Sequence, residues 1–473
     1  DGERAYLNYE RYEESVFVVE KAFSLLVDEH APATWFNESS FTVQTPQRLS
    51  EILDNISKHY FDPFIEQHVV PDIISAKPDV LAFSVVTIAQ FAAAISTAHQ
   101  IMATGHRPDH ILLGGPLMIA MSKFLESNRR VYDYFDGVVM GPGEASIFHP
   151  EVDLSDLPEL PGLMHRTPKK IVCNPPWTIS GGQSKAALPD FSDLDLDAYY
   201  SPQPILPYLS SEGCYWGECA FCTHPNVGGG YKYKPADRVV NELGVLAKHY
   251  SVRDFHLVDS AIPPKTMKAF PDLARQQGLD IKWYGNVRAE KTFKRDFLQA
   301  LYDTGCRGLL FGVESGNQRV SDLMEKGYEL QTVKQMLQDC RKIGITSVVL
   351  TFLGFPTETY AEAGDTVDFL REVRPYTAYG TYISGRFAAY ENTKVVDKPG
   401  DYAITLNFDD TREPDKLFLQ TGGLRFTDVS EAGYGKLMDH LTGEGRGIFP
   451  DFIPWDGGHF LFTPGYDDLN KNK

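Results

Sequence analysis

The chain has 473 residues, a length that suits about three domains of ordinary size. Its formal net charge of -19 at pH 7 argues against a general DNA- or RNA-binding surface, because phosphate backbones are bound by clustered Lys and Arg. The hydrophobic fraction of 42% is typical of a globular protein. No apolar run approaches the length of about 18 residues that a membrane span needs, and no basic-then-apolar leader follows Asp1. These features predict a cytoplasmic protein without a membrane partner.

Residues 1–150 are predicted to form the first domain, and their pattern is clearest from residue 80 onward. The apolar run 80–86 follows turn residues, which suits a strand buried on both faces of a parallel sheet. A helix is predicted over about 88–103, and strands over 110–113 and 137–140 end in glycine-rich turns. This alternation predicts a doubly wound α/β domain, in which ligands bind at the carboxyl ends of the strands.

Small and polar residues lie where these three strands end. Glycine at such a position lets the backbone approach a bulky ligand closely, or it simply makes a tight turn from strand to helix. The sequence leaves both interpretations open. The candidate binding residues of this edge are Ser84, Thr87, Gly114, Gly115, Gly141 and Gly143.

The rest of the chain divides into three further segments. Residues 151–200 are rich in Pro, Asp and Ser and are predicted to form a linker. Over residues 201–390 strand and helix alternate regularly, which favours a parallel (β/α) barrel or partial barrel. Its strands are predicted near residues 205–210, 254–258, 281–287, 308–313, 347–352 and 379–383. Residues 391–473 are predicted to form a small C-terminal α+β region with a helix around 432–441.

Three of the six cysteines, Cys214, Cys219 and Cys222, follow the first barrel strand at C-x4-C-x2-C spacing. Thiolates this close repel one another or oxidise unless a soft metal holds them, so the spacing predicts a metal site. A ferredoxin set needs a fourth cysteine, but the next one, Cys306, lies 84 residues further on. A zinc site completed by His224 is the alternative. The preferred interpretation is a [4Fe–4S] cluster held by three thiolates. One iron would then have no protein ligand, which indicates catalysis rather than electron storage.

Polar residues, glycines and an aromatic residue also follow the other barrel strands. In a barrel of this kind, functional groups lie on the loops at the carboxyl ends of the strands. The candidates there are Asp259, Ser260, Arg288, Glu314, Ser315, Gly354, Phe355 and Pro356. An ion pair with Arg288 inside the barrel is the alternative to a binding role for Glu314.

The barrel motifs resemble those of one enzyme family. The cysteine loop, with Phe221 before its last cysteine, resembles the signature loop of radical SAM enzymes, although their common spacing is C-x3-C-x2-C. Segments 312–316 and 324–327 resemble the fourth-strand region of cobalamin-type radical SAM proteins. Segment 354–359 resembles their fifth-strand G-F-P-G-E-T loop, with Thr357 in place of glycine.

The resemblance implies roles for these residues. The three cysteines would ligate three irons of the cluster, and S-adenosylmethionine (SAM) would chelate the fourth. Glu314 and Ser315 would hydrogen-bond the ribose or the methionine part of SAM, since a carboxylate suits hydroxyl and ammonium donors. Phe221, Gly354 and Phe355 would line the adenine pocket.

The first domain carries a second resemblance. Ser84-Val85-Val86, Gly114-Gly115-Pro116 and the turn Gly141-Pro142-Gly143-Glu144 resemble the S-x-L, GG and G-E-G-E elements of cobalamin-binding domains. Val85, Pro116 and Glu144 join the candidate residues on this ground. The D-x-H-x-x-G motif, whose histidine ligates cobalt in many such domains, is absent. The implied fold is α/β: a Rossmann-like cobalamin-binding domain, then a partial (β/α)6 barrel of TIM type.

Together the two resemblances imply an enzyme with three cofactors: a [4Fe–4S] cluster, SAM and cobalamin. The implied activity is a methyltransferase acting on an unactivated carbon, or phosphorus, of a natural product or peptide. An external flavodoxin- or ferredoxin-type electron donor would reduce it. The alternatives are a radical SAM cyclase or rearrangement enzyme that keeps the cobalamin fold and, from another class, a non-catalytic iron–sulfur or corrinoid sensor. The sequence does not name the substrate.

Overall fold

The computed structural model describes residues 49–56, 62–143, 146–147, 153–175, 187–199, 203–223, 230–377, 381–387, 389–390 and 392–404. Three features named above lie outside these residues: Glu144, His224 and the helix predicted around 432–441. The described residues form two main sheets and one two-stranded ribbon. None of the described helices is both long and apolar enough to cross a membrane.

The first sheet begins with three parallel strands, as the strand and helix alternation predicts. They are β1 (Val80–Ser84), β2 (His110–Gly114) and β3 (Gly137–Val139). Two antiparallel strands, β4 (Leu163–Arg166) and β5 (Ile171–Cys173), extend the sheet beyond β3. This hairpin lies inside the segment assigned to a linker, where the Pro, Asp and Ser content gave no indication of strands.

The predicted burial of β1 on both faces is wrong. Leu81 and Phe83 are partly buried and pack against the core of this sheet. The alternate residues Ala82 and Ser84 are exposed. Successive side chains of a strand point to opposite faces. Leu81 and Phe83 therefore share one packed face, whereas on the other face Val80 packs against a second buried cluster and the remaining residues are exposed. An apolar run by itself does not distinguish this arrangement from full burial.

Helices of this part pack against the sheet. They are α1 (Leu49–Asp54), α2 (Asp62–Phe64), a π-helical turn (Ile65–Val69), α3 (Val70–Ala76), α4 (Ile88–Thr104), α5 (Pro116–Ala120) and α6 (Ser122–Ser127), with 3-10 turns at Arg129–Asp133 and Leu154–Glu159. Helix α4 starts with a capping box between Thr87 and Gln90. It ends at Gly105, which takes the left-handed conformation common at helix ends. Phe91 and Ile95 of this helix are fully buried in the core.

The second sheet has six parallel strands in the order β13-β12-β11-β10-β9-β6. They are β6 (Ile205–Tyr208), β9 (Asp254–Leu257), β10 (Lys282–Val287), β11 (Cys306–Glu314), β12 (Thr346–Leu353) and β13 (Thr381–Arg386). All six predicted strands are therefore confirmed. In the described part of the chain β6 and β13 do not pair with each other, so the sheet is a partial barrel, as predicted. A ribbon of β7 (Ser211–Glu212) and β8 (Lys232–Tyr233) flanks it.

Five of the described helices pack on one face of the sheet and share its main core: α7 (Ala236–Tyr250), α8 (Pro264–Gln277), α9 (Arg295–Asp303), α11 (Leu330–Ile343) and α12 (Tyr360–Val373). Two shorter helices, α10 (Gln318–Leu323) and α13 (Lys394–Asp397), pack with the cysteine loop instead. Turns of 3-10 type lie at Leu196–Ala198, Arg374–Tyr376 and Pro399–Tyr402. On β11 alternate residues such as Leu309 and Phe311 are fully buried in the main core. The intervening residues Leu310, Gly312 and Glu314 are only partly buried. They face the inside of the barrel.

Candidate functional site

The cysteine loop leaves the barrel just after β6, and a buried carboxylate anchors its first turn. Asp259, at the end of β9, accepts hydrogen bonds from the hydroxyl of Ser210 at 2.8 Å and the hydroxyl of Ser211 at 2.5 Å. Burial raises the pKa of the Asp259 carboxyl, against the effect of these serine hydrogen bonds. In the structure Asp259 therefore stabilises the start of the cysteine loop. The predicted contact between Asp259 and a cofactor stays a prediction. The adjacent Ser260 is partly exposed.

Cys214, Cys219 and Cys222 are partly buried on this loop and are not joined in disulfides. The backbone N–H of Cys222 donates to the carbonyl of Cys219 at 3.1 Å, which makes a turn between the last two. Burial raises the pKa of the Cys219 thiol, while the nearby Lys326 ammonium acts in the opposite direction. No three His, Cys, Asp or Glu side chains of the described segments are already gathered as a metal site. The loop presents three thiols without closing them around one point.

The thiols fit an iron–sulfur cluster by their donor chemistry, since thiolates are the protein ligands that such clusters use. Cys306 cannot supply a fourth thiolate, because it begins β11, at the opposite end of the strand from the loop, and is fully buried in the main core. His224, the alternative ligand for zinc, lies outside the described residues. Three thiolates and an open position are what the described chain offers.

Two side chains between Cys214 and Cys219, those of Tyr215 and Trp216, contact residues outside the cysteine loop. The Trp216 ring stacks on the Arg288 guanidinium, whose carbon lies 3.6 Å from the ring centroid. Arg288 also donates to Glu290 at 2.5 Å, and the Tyr215 hydroxyl donates to the same oxygen at 2.9 Å. The Arg288 guanidinium therefore stabilises the cysteine loop through Trp216 and Glu290. The predicted contact between Arg288 and a cofactor stays a prediction.

The segment after the barrel also contacts the cysteine loop. The Lys394 ammonium donates to the carboxylate of Glu218 at 2.5 Å and to that of Glu325 at 2.8 Å. The N–H of Val395 donates to the carbonyl of Ala220 at 3.1 Å. Sequence reasoning missed Lys394, because 176 residues separate it from Glu218 and no local pattern marks such a pair.

Residues 324–328, which we call the brace, support the loop from beneath. The Met324 carbonyl accepts a hydrogen bond from the Ala220 N–H at 3.1 Å. Gly327 has φ +68°, and a Cβ at this position would lie 2.8 Å from two ring carbons of Trp216. Only a residue without a side chain fits under the indole at this distance. The motif that resembled a family segment is thus a platform for the cysteine loop.

The irregular end of β11 determines the direction of the Glu314 side chain. The register between β11 and β12 shifts between Gly312 and Glu314, and Glu314 has φ +68°. Left-handed backbone in a non-glycine residue is strained, and bulges of this kind often redirect a side chain beside an active site. A Cβ on Gly312 would lie 2.6 Å from the Glu314 carboxylate. The Tyr328 hydroxyl steadies the bulge by donating to the Val313 carbonyl at 2.6 Å.

The Glu314 carboxylate forms an ion pair with Lys326, whose ammonium lies 3.2 Å from its Oε1. The proposed alternative partner, Arg288, pairs with Glu290 instead. Lys326 is only 5% exposed. Burial opposes its charge, but Glu314 and other neighbouring groups raise the pKa of Lys326 above its ordinary value. The ammonium also lies 5.8 Å from the ring centroid of Phe221 in the cysteine loop.

Ser315 is the predicted residue that the structure turns away from the site. Its side chain is fully buried. The hydroxyl accepts from the N–H of Asn317 at 3.1 Å and lies 3.3 Å from the hydroxyl of Thr366 on α12. It joins a strand end to a helix.

The loop after β12 is built around a second buried carboxylate. Glu358 is fully buried, and its carboxylate accepts hydrogen bonds from the N–H groups of Gly354 and Phe355. Burial raises the pKa of Glu358 to about 7. Thr357, which stands where the family motif has glycine, takes φ +66°. Arg319 holds it there by donating to its carbonyl at 3.0 Å.

Aromatic rings join this loop to the cysteine loop. Phe221 packs edge-on against Phe352 at 5.0 Å and against Phe355 at 6.4 Å between ring centroids. Phe355 is fully buried and Pro356 beside it is also buried. The structure therefore packs Phe355 behind Phe221, and their predicted place in an adenine pocket stays a prediction.

At the edge of the first sheet, the candidate residues mainly build turns. The Val85 N–H donates to the Gly114 carbonyl at 2.8 Å, and the Leu117 N–H donates to the Val85 carbonyl at 3.2 Å. Gly115 has φ +100°, and a Cβ there would lie 2.4 Å from the backbone N and O of Val85. The Thr87 hydroxyl caps α4. Tight-turn geometry accounts for these residues.

Other candidates of this edge are left more open. Ser84 and Pro116 are exposed, and Gly143 is partly buried. Among the described residues, a Cβ on Gly141, which has φ +144°, would meet no atom within 4 Å. The described residues therefore leave space beside Gly141, and Val86, which follows β1, is 58% exposed.

A partial parallel barrel with three cysteines on the loop after its first strand defines a class of protein. Residues 208–370 match the family model described as the Radical SAM superfamily. This segment, about a third of the chain, is therefore similar to radical SAM domains.

Particular relatives sharpen this assignment. An uncharacterized methyltransferase of Pyrococcus horikoshii is 26% identical over 304 residues, which cover 63% of this chain and 64% of the relative. The anaerobic magnesium-protoporphyrin IX monomethyl ester cyclase of Rubrivivax gelatinosus is 23% identical over 326 residues, which cover 66% of this chain and 57% of the relative. The chain thus spans less than two thirds of the length of each.

Two solved structures share the fold. The radical SAM methyltransferase TsrM of Kitasatospora setae, with tryptophan and a SAM analogue bound, superposes with a TM-score of 0.56 at 19% identity, covering 75% of this chain and 73% of its own. The cobalamin-dependent SAM radical enzyme OxsB, with aqua-cobalamin bound, superposes with a TM-score of 0.55 at 13% identity, covering 83% of this chain and 63% of its own. At these identities the likeness shows the fold.

Proposed function

We propose that the protein is a cobalamin-dependent radical SAM methyltransferase. The observation that carries the proposal is the set of three thiols on one anchored loop, after the first strand of a radical SAM domain. The methyltransferase names of one relative and of TsrM support the reaction type. The proposed substrate class is an unactivated carbon, or phosphorus, of a natural product or peptide, with a flavodoxin- or ferredoxin-type protein as electron donor.

In this proposal Cys214, Cys219 and Cys222 hold the [4Fe–4S] cluster. When bound, the cluster would supply the electron that cleaves SAM. Glu314 accepts hydrogen bonds from the hydroxyl or ammonium groups of SAM, because its carboxylate already sits at a strand end beside the cysteine loop. Phe221, with the aromatic packing behind it, excludes water from this edge of the barrel.

We further propose that residues 1–150 bind cobalamin at the carboxyl edge of the first sheet. Support comes from the exposed Val86, the open space beside Gly141 and the shared fold with cobalamin-bound OxsB. No D-x-H-x-x-G motif is present, so a bound cobalamin would receive no histidine ligand from that motif. The barrel then occupies residues 201–390, and residues 391–473 cap it.

A cyclase is the second candidate, and the similarity to the Rubrivivax gelatinosus enzyme favours it. The two candidates differ in what SAM becomes. A methyltransferase forms S-adenosylhomocysteine when it gives up the methyl group of SAM. A cyclase of the radical SAM class forms 5′-deoxyadenosine without S-adenosylhomocysteine. Product analysis therefore separates them.

The test begins with anaerobic reconstitution of the full chain with iron and sulfide. We expect about four irons per chain, lost when Cys214, Cys219 and Cys222 are all changed to Ala. The matched control is Cys173→Ala, because Cys173 is a free and exposed thiol outside the loop. One zinc and no iron in the wild type would contradict the proposal.

Reconstituted protein is then mixed with SAM, hydroxocobalamin and dithionite. We expect a bound corrinoid spectrum and S-adenosylhomocysteine among the products. 5′-Deoxyadenosine alone would support the cyclase, and intact SAM with bound metal would support the sensor. Failure to bind hydroxocobalamin would remove the methyltransferase proposal.

A further inference from the structure

We infer that Lys326 is a positioning residue that holds the Glu314 carboxylate and places a positive charge beside the cysteine loop. The inference rests on the proposed function, since it concerns how the proposed cluster and SAM site is prepared. It assigns a role to a residue that no strand-end pattern marks, because Lys326 lies between α10 and α11 and away from any strand end.

The geometry of the pair leaves half of the carboxylate for a ligand. The Lys326 ammonium contacts Oε1 of Glu314, and among the described residues no hydrogen bond reaches Oε2. The side chain of Lys326 is 6% exposed, whereas that of Glu314 is 17% exposed. The lysine therefore fixes the carboxylate from the buried side, and the second oxygen is left for a donor on a bound molecule.

Several contacts ensure that this pair has only one arrangement. The carbonyl of Lys326 accepts a hydrogen bond from Arg288, so the lysine backbone is tied to the end of β10. Gly312 provides the space into which the carboxylate turns. A buried pair held at its backbone and side chain restricts the rotamers of both partners, which is what a prepared binding group needs.

The charge of Lys326 has a second consequence. Three thiolates and the Glu314 carboxylate would concentrate negative charge near one strand end, and the Lys326 ammonium lies 5.8 Å from the ring centroid of Phe221, which stands between Cys219 and Cys222. Reduction of an iron–sulfur cluster adds a further negative charge, so a nearby buried cation raises the reduction potential. A residue that only filled space would leave that potential unchanged.

The experiment compares reconstituted wild type with K326M and K326R. K326M keeps most of the length of the side chain but removes the charge. We expect K326M to bind SAM about tenfold more weakly, within the range for groups coupled by contact, and to have a more negative midpoint potential in an EPR-monitored titration. K326R retains the charge, so its potential should stay near that of the wild type. The matched control is K334M, which removes a lysine paired with Glu372 on the outer helices; it should change neither quantity.

A double variant keeps the test decisive if K326M loses iron. E314Q/K326M leaves no unpaired buried charge, and if Lys326 acts through Glu314 it should bind SAM no more weakly than E314Q alone. K326M or E314Q/K326M with wild-type SAM affinity and potential would overturn the inference, as would additive losses in the double variant. Wild-type protein without iron would instead count against the proposed function.

Discussion

The carboxyl edges of the two sheets were expected to bind cofactors, but the structure treats them differently. At the barrel edge, side chains distant in sequence hold the cysteine loop through an ion pair, a ring stack and a brace. At the edge of the first sheet, most candidate residues form the turns between strand and helix, as Gly115 and Thr87 do. A site made for chemistry needs fixed side chains, whereas a site that admits a large planar ligand needs bare backbone and space.

The largest expected effect concerns two glycines at the carboxyl edge of the first sheet, one in a tight turn and one beside open space. Changing Gly115 to Ala places a Cβ at 2.4 Å from two backbone atoms of Val85, where nothing flexible can move away. We expect the free energy of unfolding to fall by about 3–5 kcal/mol in urea titrations. The control is Gly141→Ala, whose Cβ meets no atom within 4 Å among the described residues and which should cost about 1 kcal/mol from its backbone conformation alone. Equal losses would break the distinction between turn glycine and open glycine.

The next prediction concerns the buried carboxylate of the barrel edge. Burial raises the pKa of Glu358 from its ordinary 4.5 to about 7, so the folded state favours the protonated form. Its contribution to stability is full below pH 4.5 and is lost as the pH rises through about 7, a total of roughly 3 kcal/mol. E358Q should therefore flatten the pH dependence of unfolding over this window, whereas Glu372→Gln on the outer surface should not. An unchanged slope in E358Q would show that another group titrates there.

A smaller effect is expected from the ring that anchors the loop. Trp216→Ala removes the stack on Arg288 and the hydrogen bond to the Glu325 carbonyl at 3.0 Å. Together these contribute about 2 kcal/mol, so reconstituted W216A should lose iron to a chelator at least about tenfold faster. W216F keeps a ring and should lie between the two. Iron loss at the wild-type rate in W216A would mean that the conformation of the cysteine loop does not depend on Trp216.

The smallest effect probes backbone strain at the barrel edge. Thr357 is β-branched and has φ +66°, a conformation that costs about 1–2 kcal/mol for such a residue. Thr357→Gly relieves this strain but gains freedom in the unfolded chain and loses a 3.2 Å hydrogen bond from Arg319. We expect a net gain of about 0.5 kcal/mol in thermal unfolding. A clear loss would show that the hydrogen bond outweighs the strain.

Much of the fold could be predicted because its signals are local. Each barrel strand is a short apolar run followed by a helical pattern, so β6 and β9 to β13 were expected at the places where they occur. The hairpin β4–β5 was missed because its residues lie among turn formers and pair with a strand 24 residues or more upstream, as Val139 pairs with Leu163. The exposure of Ala82 and Ser84 on β1 was missed because an apolar run shows only composition, whereas burial depends on which elements pack against the strand.

For the site, the sequence alone determined which residues are the candidates for chemistry: the three cysteines, their spacing, and Glu314 at a strand end. These follow from residue type and local order. The tertiary structure decided their partners, such as Lys326 for Glu314 and Lys394 for Glu218, which lie 12 and 176 residues apart. Ion pairs and ring stacks depend on where the folded chain returns to itself, and many positions of equal charge could have served. Residue identity therefore fixes what a group can do, and the path of the chain determines which group it meets.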